Sequence, residues 1–93
     1  MALSFEWDDA KAEANARKHS VRFEEAATAF GDPLSVTVAD PDHSFDEDRF
    51  VLLGLTERDR MVVVAHTLRG DTIRIISARP ATARERRCYE EGP

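Results

Sequence analysis

The sequence predicts an α+β domain in which two N-terminal helices and one C-terminal helix pack on an antiparallel β-meander. Three observations carry that prediction. Phe23, Ala26, Ala27 and Phe30 follow helical spacing and define one apolar face. Three apolar segments rich in β-branched residues succeed one another from Phe50 to Ala78, separated by short polar turns. Thr82-Ala83-Arg84-Glu85 then has the form of a capping box that opens a last helix.

In chain order, residues 3–7 read as a short strand. Asp8 is placed to cap the helix that follows, and Asp9 suits the positive end of its dipole. Residues 9–19 are alanine-rich and predict a helix with Lys11, Asn15 and Lys18 on one face. The second helix carries the Phe23–Phe30 face. Gly31 is expected as its left-handed C-cap, and Asp32-Pro33 stops it. Residues 34–38 read as a strand, and the acidic run from Asp40 to Asp48 as a loop. Residues 50–55 and 61–65 are apolar on both faces, as in strands covered on both sides, and residues 72–78 are rich in isoleucine. Turns at residues 57–59 and at Arg69-Gly70 are short enough to make these strands a meander. The last helix is expected over residues 82–90.

Ninety-three residues suit a single domain. Hydrophobic residues make up 42% and charged residues 33%, a folded and soluble balance rather than a disordered one. No apolar run reaches the ~20 residues that span a bilayer, and the opening segment lacks a basic-then-apolar signal pattern. One cysteine, Cys88, excludes an internal disulfide and a multi-cysteine metal site, so the cytoplasm is the expected compartment.

Net charge is −5, but it is unevenly spread. Residues 1–57 hold 5 Lys/Arg against 13 Asp/Glu, and residues 58–93 hold 8 Arg against 5 Asp/Glu. Every basic residue after Lys18 is arginine, the side chain shaped for bidentate phosphate contact.

Among polar residues, His66 ends an apolar strand and shares a face with Val62 and Val64. With Arg69-Gly70 as a two-residue turn, it faces Ile73. With Thr56 opposite Met61, it faces Val51 and has Arg49 as a diagonal neighbour. An imidazole beside a guanidinium suits acid–base work next to a phosphate anchor, while a half-buried histidine bonded to backbone is the structural alternative. Arg74 and Arg79 have odd spacing, so a regular strand puts them on opposite faces. Pro80 allows Arg79 to have left the strand and to meet an anion at the strand–helix junction. Lys18 and His19 end the first helix, where its dipole already favours positive charge. Tyr89 either stacks on a base or packs on the sheet. His43 with Asp40, Asp42, Asp46 and Asp48 matches no calcium-loop template, and neither a glycine-rich phosphate loop nor a serine nucleophile elbow is present.

Phe5-Glu6-Trp7-Asp8, then Lys11, Asn15 and Lys18-His19, Phe23-Glu24-Glu25-Ala26 and Phe30-Gly31-Asp32-Pro33 resemble the opening of the BrnT toxin family. The likeness continues through Arg49-Phe50, Gly54 and Val62-Val63-Val64-Ala65-His66-Thr67. It is most specific in Ile73-Arg74-Ile75-Ile76-Ser77-Ala78-Arg79 and Glu85-Arg86-Arg87-Cys88-Tyr89. It implies a RelE-like fold and a ribonuclease that cuts RNA and halts translation, as the toxin of a type II toxin–antitoxin pair. It further implies a BrnA-type antitoxin, a heterotetramer of two toxins and two antitoxins, DNA contact only through the antitoxin, and no metal or organic cofactor. Ser20 stands where such sequences often have glycine, so the first helix either ends on a costly left-handed serine or ends differently. The acidic 40–48 loop is expected to point away from RNA or towards a basic partner.

For attack of a 2′-hydroxyl on the adjacent phosphate, the expectation is His66 as general acid or base, with Arg49 and Arg79 on the phosphate. Lys18, His19 and Arg74 are expected as further RNA contacts. The alternative function is a non-catalytic binding module that acts only within a partner or repressor complex.

Overall fold

The computed structural model describes residues 3–40 and 48–92. Its elements are β1 (Ser4–Glu6), α1 (Asp9–His19), α2 (Phe23–Thr28), a 3₁₀ turn (Ala29–Gly31), β2 (Val36–Ala39), β3 (Arg49–Leu55), β4 (Met61–Arg69), β5 (Thr72–Pro80) and α3 (Ala83–Glu91). The strands form one sheet in the order β1-β5-β4-β3-β2. The meander β2 to β5 is antiparallel, as the short turns require for β3, β4 and β5. β1 instead joins the far edge parallel to β5, so the sheet is mixed. Parallel pairing needs a long crossover between the strands, which the two helices and the rest of the meander supply.

α1 starts as the sequence predicts, with Asp8 Oδ1 accepting from the Lys11 backbone N–H at 3.0 Å. It ends on Ser20 in the left-handed region at φ 58°, the costly one of the two possible endings. Arg60 offsets that cost by donating from Nη2 to the Ser20 carbonyl at 2.7 Å. Gly31 is not a left-handed cap: α2 tightens into the 3₁₀ turn, and Asp32 ends it with φ −75°. Asp32 then organises the chain's exit, accepting from Leu34 N and Leu55 N at 3.0 and 2.9 Å.

Helices α1 and α2 cover one face of the sheet. Val21, Phe23, Ala26 and Ala29 pack on Leu52, Val62, Val64, Ile75 and Ala78, with Trp7 edge-on to Phe23. Gly54 is required where β3 passes beneath the 3₁₀ turn, because a Cβ there would lie 3.0 Å from Ser35 Cβ and 3.2 Å from the Ala29 carbonyl. Beyond the end of β1, the free edge of β5 is met by Asn15. Its amide donates to the Ala78 carbonyl at 2.8 Å and its Oδ1 accepts from Ala78 N at 3.1 Å. Asn15 is therefore buried and structural, unlike the exposed Lys11 and Lys18 that flank it on the helix.

Both turns differ by one residue from the sequence expectation. Leu55, not Thr56, pairs with Met61, and Arg69, not Leu68, closes the last hairpin against Thr72. Thr56 is recruited away from pairing: its hydroxyl accepts from Arg58 N and Arg60 N and donates to Glu25 at 2.8 Å. In the second turn Gly70 takes the positive φ of 59°, at the position where a two-residue hairpin of type II′ needs glycine.

A further irregularity has larger consequences. Ala65 pairs with Ser77 but His66 pairs with Ile75, so Ile76 is an extra residue in β5. This β-bulge places Ile73, Ile75 and Ala78 all on the core face, which strict alternation forbids.

Candidate active site: an arginine-bearing sheet face

The bulge inverts the alternation between Arg74 and Arg79, so the two lie on the same face. The sequence expectation of opposite faces is thereby corrected: parity fails when one residue of the strand is unpaired. Arg79 has not left the strand either, since it pairs with Val63. Arg49 pairs with Thr67, and Thr67 with Arg74, which in turn pairs with Glu6 of β1. Arg49, Thr67, Arg74 and Glu6 thus form one row across four strands, on the face turned away from the helical core. The next row holds the smaller side chains of Val51, Ala65 and Ser77, and the third holds Leu53, Val63 and Arg79. Two arginine rows therefore bracket a shallow floor, separated by roughly 13 Å along the strands. α3 borders this floor, lying over β3 with Cys88 and Gly92 near Val36 and Leu53.

The arginines are held by carboxylates. Arg74 Nη1 donates to Glu6 Oε2 at 3.0 Å, and Arg79 meets Glu85 with two bonds of 2.8 Å. The paired guanidinium holds Glu85 far below the usual carboxylate range, at about 2, and the carboxylate raises Arg79 in return. Thr82 and Glu85 form the capping box that the sequence predicts. On the same helix, Tyr89 donates to Asp32 Oδ2 at 2.7 Å, a bond that pushes its phenol up to about 12. Tyr89 is thus bound to the body of the fold, consistent with the packing alternative. Burial pulls Asp32 upward, but the Leu55, Tyr89 and Leu34 donors outweigh it, and its carboxyl stays below its ordinary value.

Glu25, Thr56 and Arg60 form another polar group that sequence reasoning missed. Arg60 donates from Nε and Nη2 to Glu25 at 2.9 and 2.8 Å, and this contact holds the Glu25 carboxyl low. Acid unfolding follows from these groups. A carboxyl depressed by the fold contributes fully above its unfolded value near 4.5, and that contribution is lost as pH falls towards the folded value. Thermal midpoints measured against pH should therefore fall between about 4.5 and about 2, with a smaller drop in Glu85→Gln.

His66 does not share the arginine face. It pairs with Phe50 rather than Val51, and with Ile75 rather than Ile73, because both turns are shifted. It points into the helical side, 4% exposed, edge-on to Phe30 at 4.8 Å and stacked on Phe50 at 5.9 Å. Its Nδ1 donates to the Val64 carbonyl at 3.1 Å, and burial lowers its pKa, which favours the neutral ring. The expected His66–Arg49–Arg79 group is therefore divided by the sheet itself. Lys18 and His19 also lie apart from the arginines, in the last turn of α1 on the helical side.

A cleft of about 260 Å³ between α1 and α2, lined by Trp7, Ala12, Ala16 and Phe23, belongs to the helical side as well. Among the described residues, no three His, Cys, Asp or Glu side chains are placed to share a metal ion. Of the acidic 40–48 loop, residues 41–47 with His43 lie outside the described residues, while Asp40 is buried and its backbone N–H donates to the Arg49 carbonyl at 2.9 Å. Among the described residues, no helix is long and apolar enough to cross a membrane.

Chemically, three guanidinium groups on one sheet face are suited to bind an anion, and Glu6 and Glu85 orient two of them, Arg74 and Arg79. Residues 7–85 match the family model described as the ribonuclease toxin BrnT of type II toxin-antitoxin systems. Among solved structures, the 1.1 Å crystal structure of the Brucella abortus ribonuclease toxin BrnT is similar, with a TM-score of 0.69 and 19% identity. That likeness covers 87% of this chain and 99% of the other, and it supports the α+β fold. Among curated protein sequences none matches.

Proposed function

The chain belongs to the BrnT family of ribonuclease toxins of type II toxin-antitoxin systems, and from that premise we propose that it is a metal-independent endoribonuclease acting through its arginine-bearing sheet face. A toxin of this class has RNA as its substrate and a protein antitoxin as its partner. In this reading residues 1–93 make one toxin domain that works in the cytoplasm and inhibits translation. A BrnA-type antitoxin silences it in an assembly of two toxins and two antitoxins, and DNA is contacted only through the antitoxin.

The observation that carries the reading is the β5 bulge, which gathers Arg49, Arg74 and Arg79 on one face. As a 2′-hydroxyl attacks the adjacent phosphate, negative charge grows on the phosphoryl oxygens. Preorganised cations aimed at that charge supply the largest share of the stabilisation, and guanidinium groups supply it without a metal ion. Arg49 and Arg79 keep the phosphate role expected from the sequence, and Arg74 joins them. His66 is assigned to packing, because the sheet stands between its ring and the phosphate. Lys18 and His19 are placed to meet only RNA that extends to the helical side.

The test is cleavage of a labelled RNA by the purified chain in excess EDTA, together with growth on expression of the isolated chain. Cutting in EDTA and growth arrest are the expected results. Intact RNA with normal growth would favour the non-catalytic binding module.

A further inference from the structure

Arg79 and Glu85 meet in a way that exceeds what either a surface ion pair or a helix cap needs. Glu85 Oε1 accepts from Thr82 N at 2.9 Å, and Thr82 Oγ1 accepts from Glu85 N at 3.1 Å. A capping box uses one acceptor oxygen, and a glutamine serves it equally well. The charge suits the positive end of the α3 dipole, but the cap has no use for the second oxygen. Both oxygens meet Arg79: Nη1 donates to Oε1 and Nη2 to Oε2, each at 2.8 Å.

The donor inventory shows what this leaves. A guanidinium has five N–H groups. Glu85 takes two of them, and the Pro80 carbonyl takes the other Nη1 hydrogen at 3.2 Å. The remaining pair is Nε–H and the outer Nη2–H, which are neighbours on one edge of the plane. That edge has the spacing for bidentate contact with two phosphoryl oxygens. The Arg79 side chain remains 41% exposed, so substrate can reach it.

We propose that Glu85 is a positioning residue for RNA cleavage: it occupies the Nη1/Nη2 edge of Arg79 and so presents the Nε/Nη2 edge to the scissile phosphodiester. The inference rests on the arginine face being the RNA site. Glu85 does not touch substrate itself, and its negative charge weakens ground-state attraction for a polyanion while fixing the geometry that the transition state needs. Its removal should therefore divide the kinetic constants.

Glu85→Gln keeps the capping box and loses the charged fork. Its kcat should fall on the order of tenfold through misalignment, while KM for RNA stays level or drops. Thr82→Ala, which weakens the cap and leaves the Arg79–Glu85 fork in place, should keep wild-type kcat. Glu85→Asp keeps the charge one methylene short, so its kcat should fall with KM unchanged; it stands in if Glu85→Gln does not fold. Wild-type kcat in both Glu85 variants, or the same loss in Thr82→Ala, would overturn the positioning role. Full cleavage by Arg79→Ala would instead overturn the RNA site on which the role depends.

Discussion

Replacing Arg74 and Arg79 together with alanine is expected to lower RNA cleavage by roughly 10³-fold, since removing one donor to a developing oxyanion costs 10²–10³. The same change should leave the fold nearly as stable. Both partners, Glu6 and Glu85, have side chains about a third exposed, and such ion pairs contribute about 0–1 kcal/mol each. Glu85 would still satisfy Thr82 N, so α3 keeps its start. Single variants should each show an intermediate loss, because the arginines sit in separate rows with Ala65 and Ser77 between them. Cleavage rates and thermal midpoints measured on the same preparations decide the matter. Cleavage within about threefold of wild type, well below the loss of a single donor, would remove the arginine face from the chemistry.

His66→Ala should behave in the opposite way. The ring is buried against Phe30, Phe50 and Ile75, and truncating a large buried side chain costs about 2–4 kcal/mol. In a domain of this size that lowers Tm by roughly 10 °C or more. Turnover per folded molecule, measured well below the lowered Tm, should stay close to wild type. A general acid or base would give the reverse pattern, an ordinary Tm with cleavage abolished. That reverse result would return His66 to the catalytic role expected from the sequence.

The contrast between the two arginines and His66 shows which features of this chain are legible in its sequence. His66 belongs to an apolar strand that periodicity predicts, and the strand is there. Its partners differ from those the simplest turns imply, because each hairpin turns one residue away. Thr56 leaves the ladder to bond Glu25, and Gly70 rather than Arg69 begins the last turn. A one-residue slip is invisible in composition or periodicity and reverses which side chains meet. The odd spacing of Arg74 and Arg79 likewise implies opposite faces, and the unpaired Ile76 reverses that. A hint was present in Ile73, Ile75 and Ala78, three apolar residues that cannot share a face of a regular strand. The capping role of Glu85 was legible from Thr82 three residues earlier, but its hold on Arg79 depended on where β5 ends relative to α3.

What the sequence by itself determined is local and periodic. Helical spacing from Phe23 to Phe30, the Asp8 and Thr82 caps, and the β-branched runs specify an α+β chain with a meander. The blocks around Ile73–Arg79 and Glu85–Tyr89 were enough to suggest the family. Tertiary structure alone decided the parallel docking of β1, the bulge at Ile76, the burial of His66 and the convergence of the arginines. The physical reason is that periodicity reports whether a residue prefers a core, whereas register decides which distant residues it faces. Register follows from long-range pairing and from side chains such as Thr56 and Asn15 that bond groups far away in sequence, Glu25 and the Ala78 carbonyl.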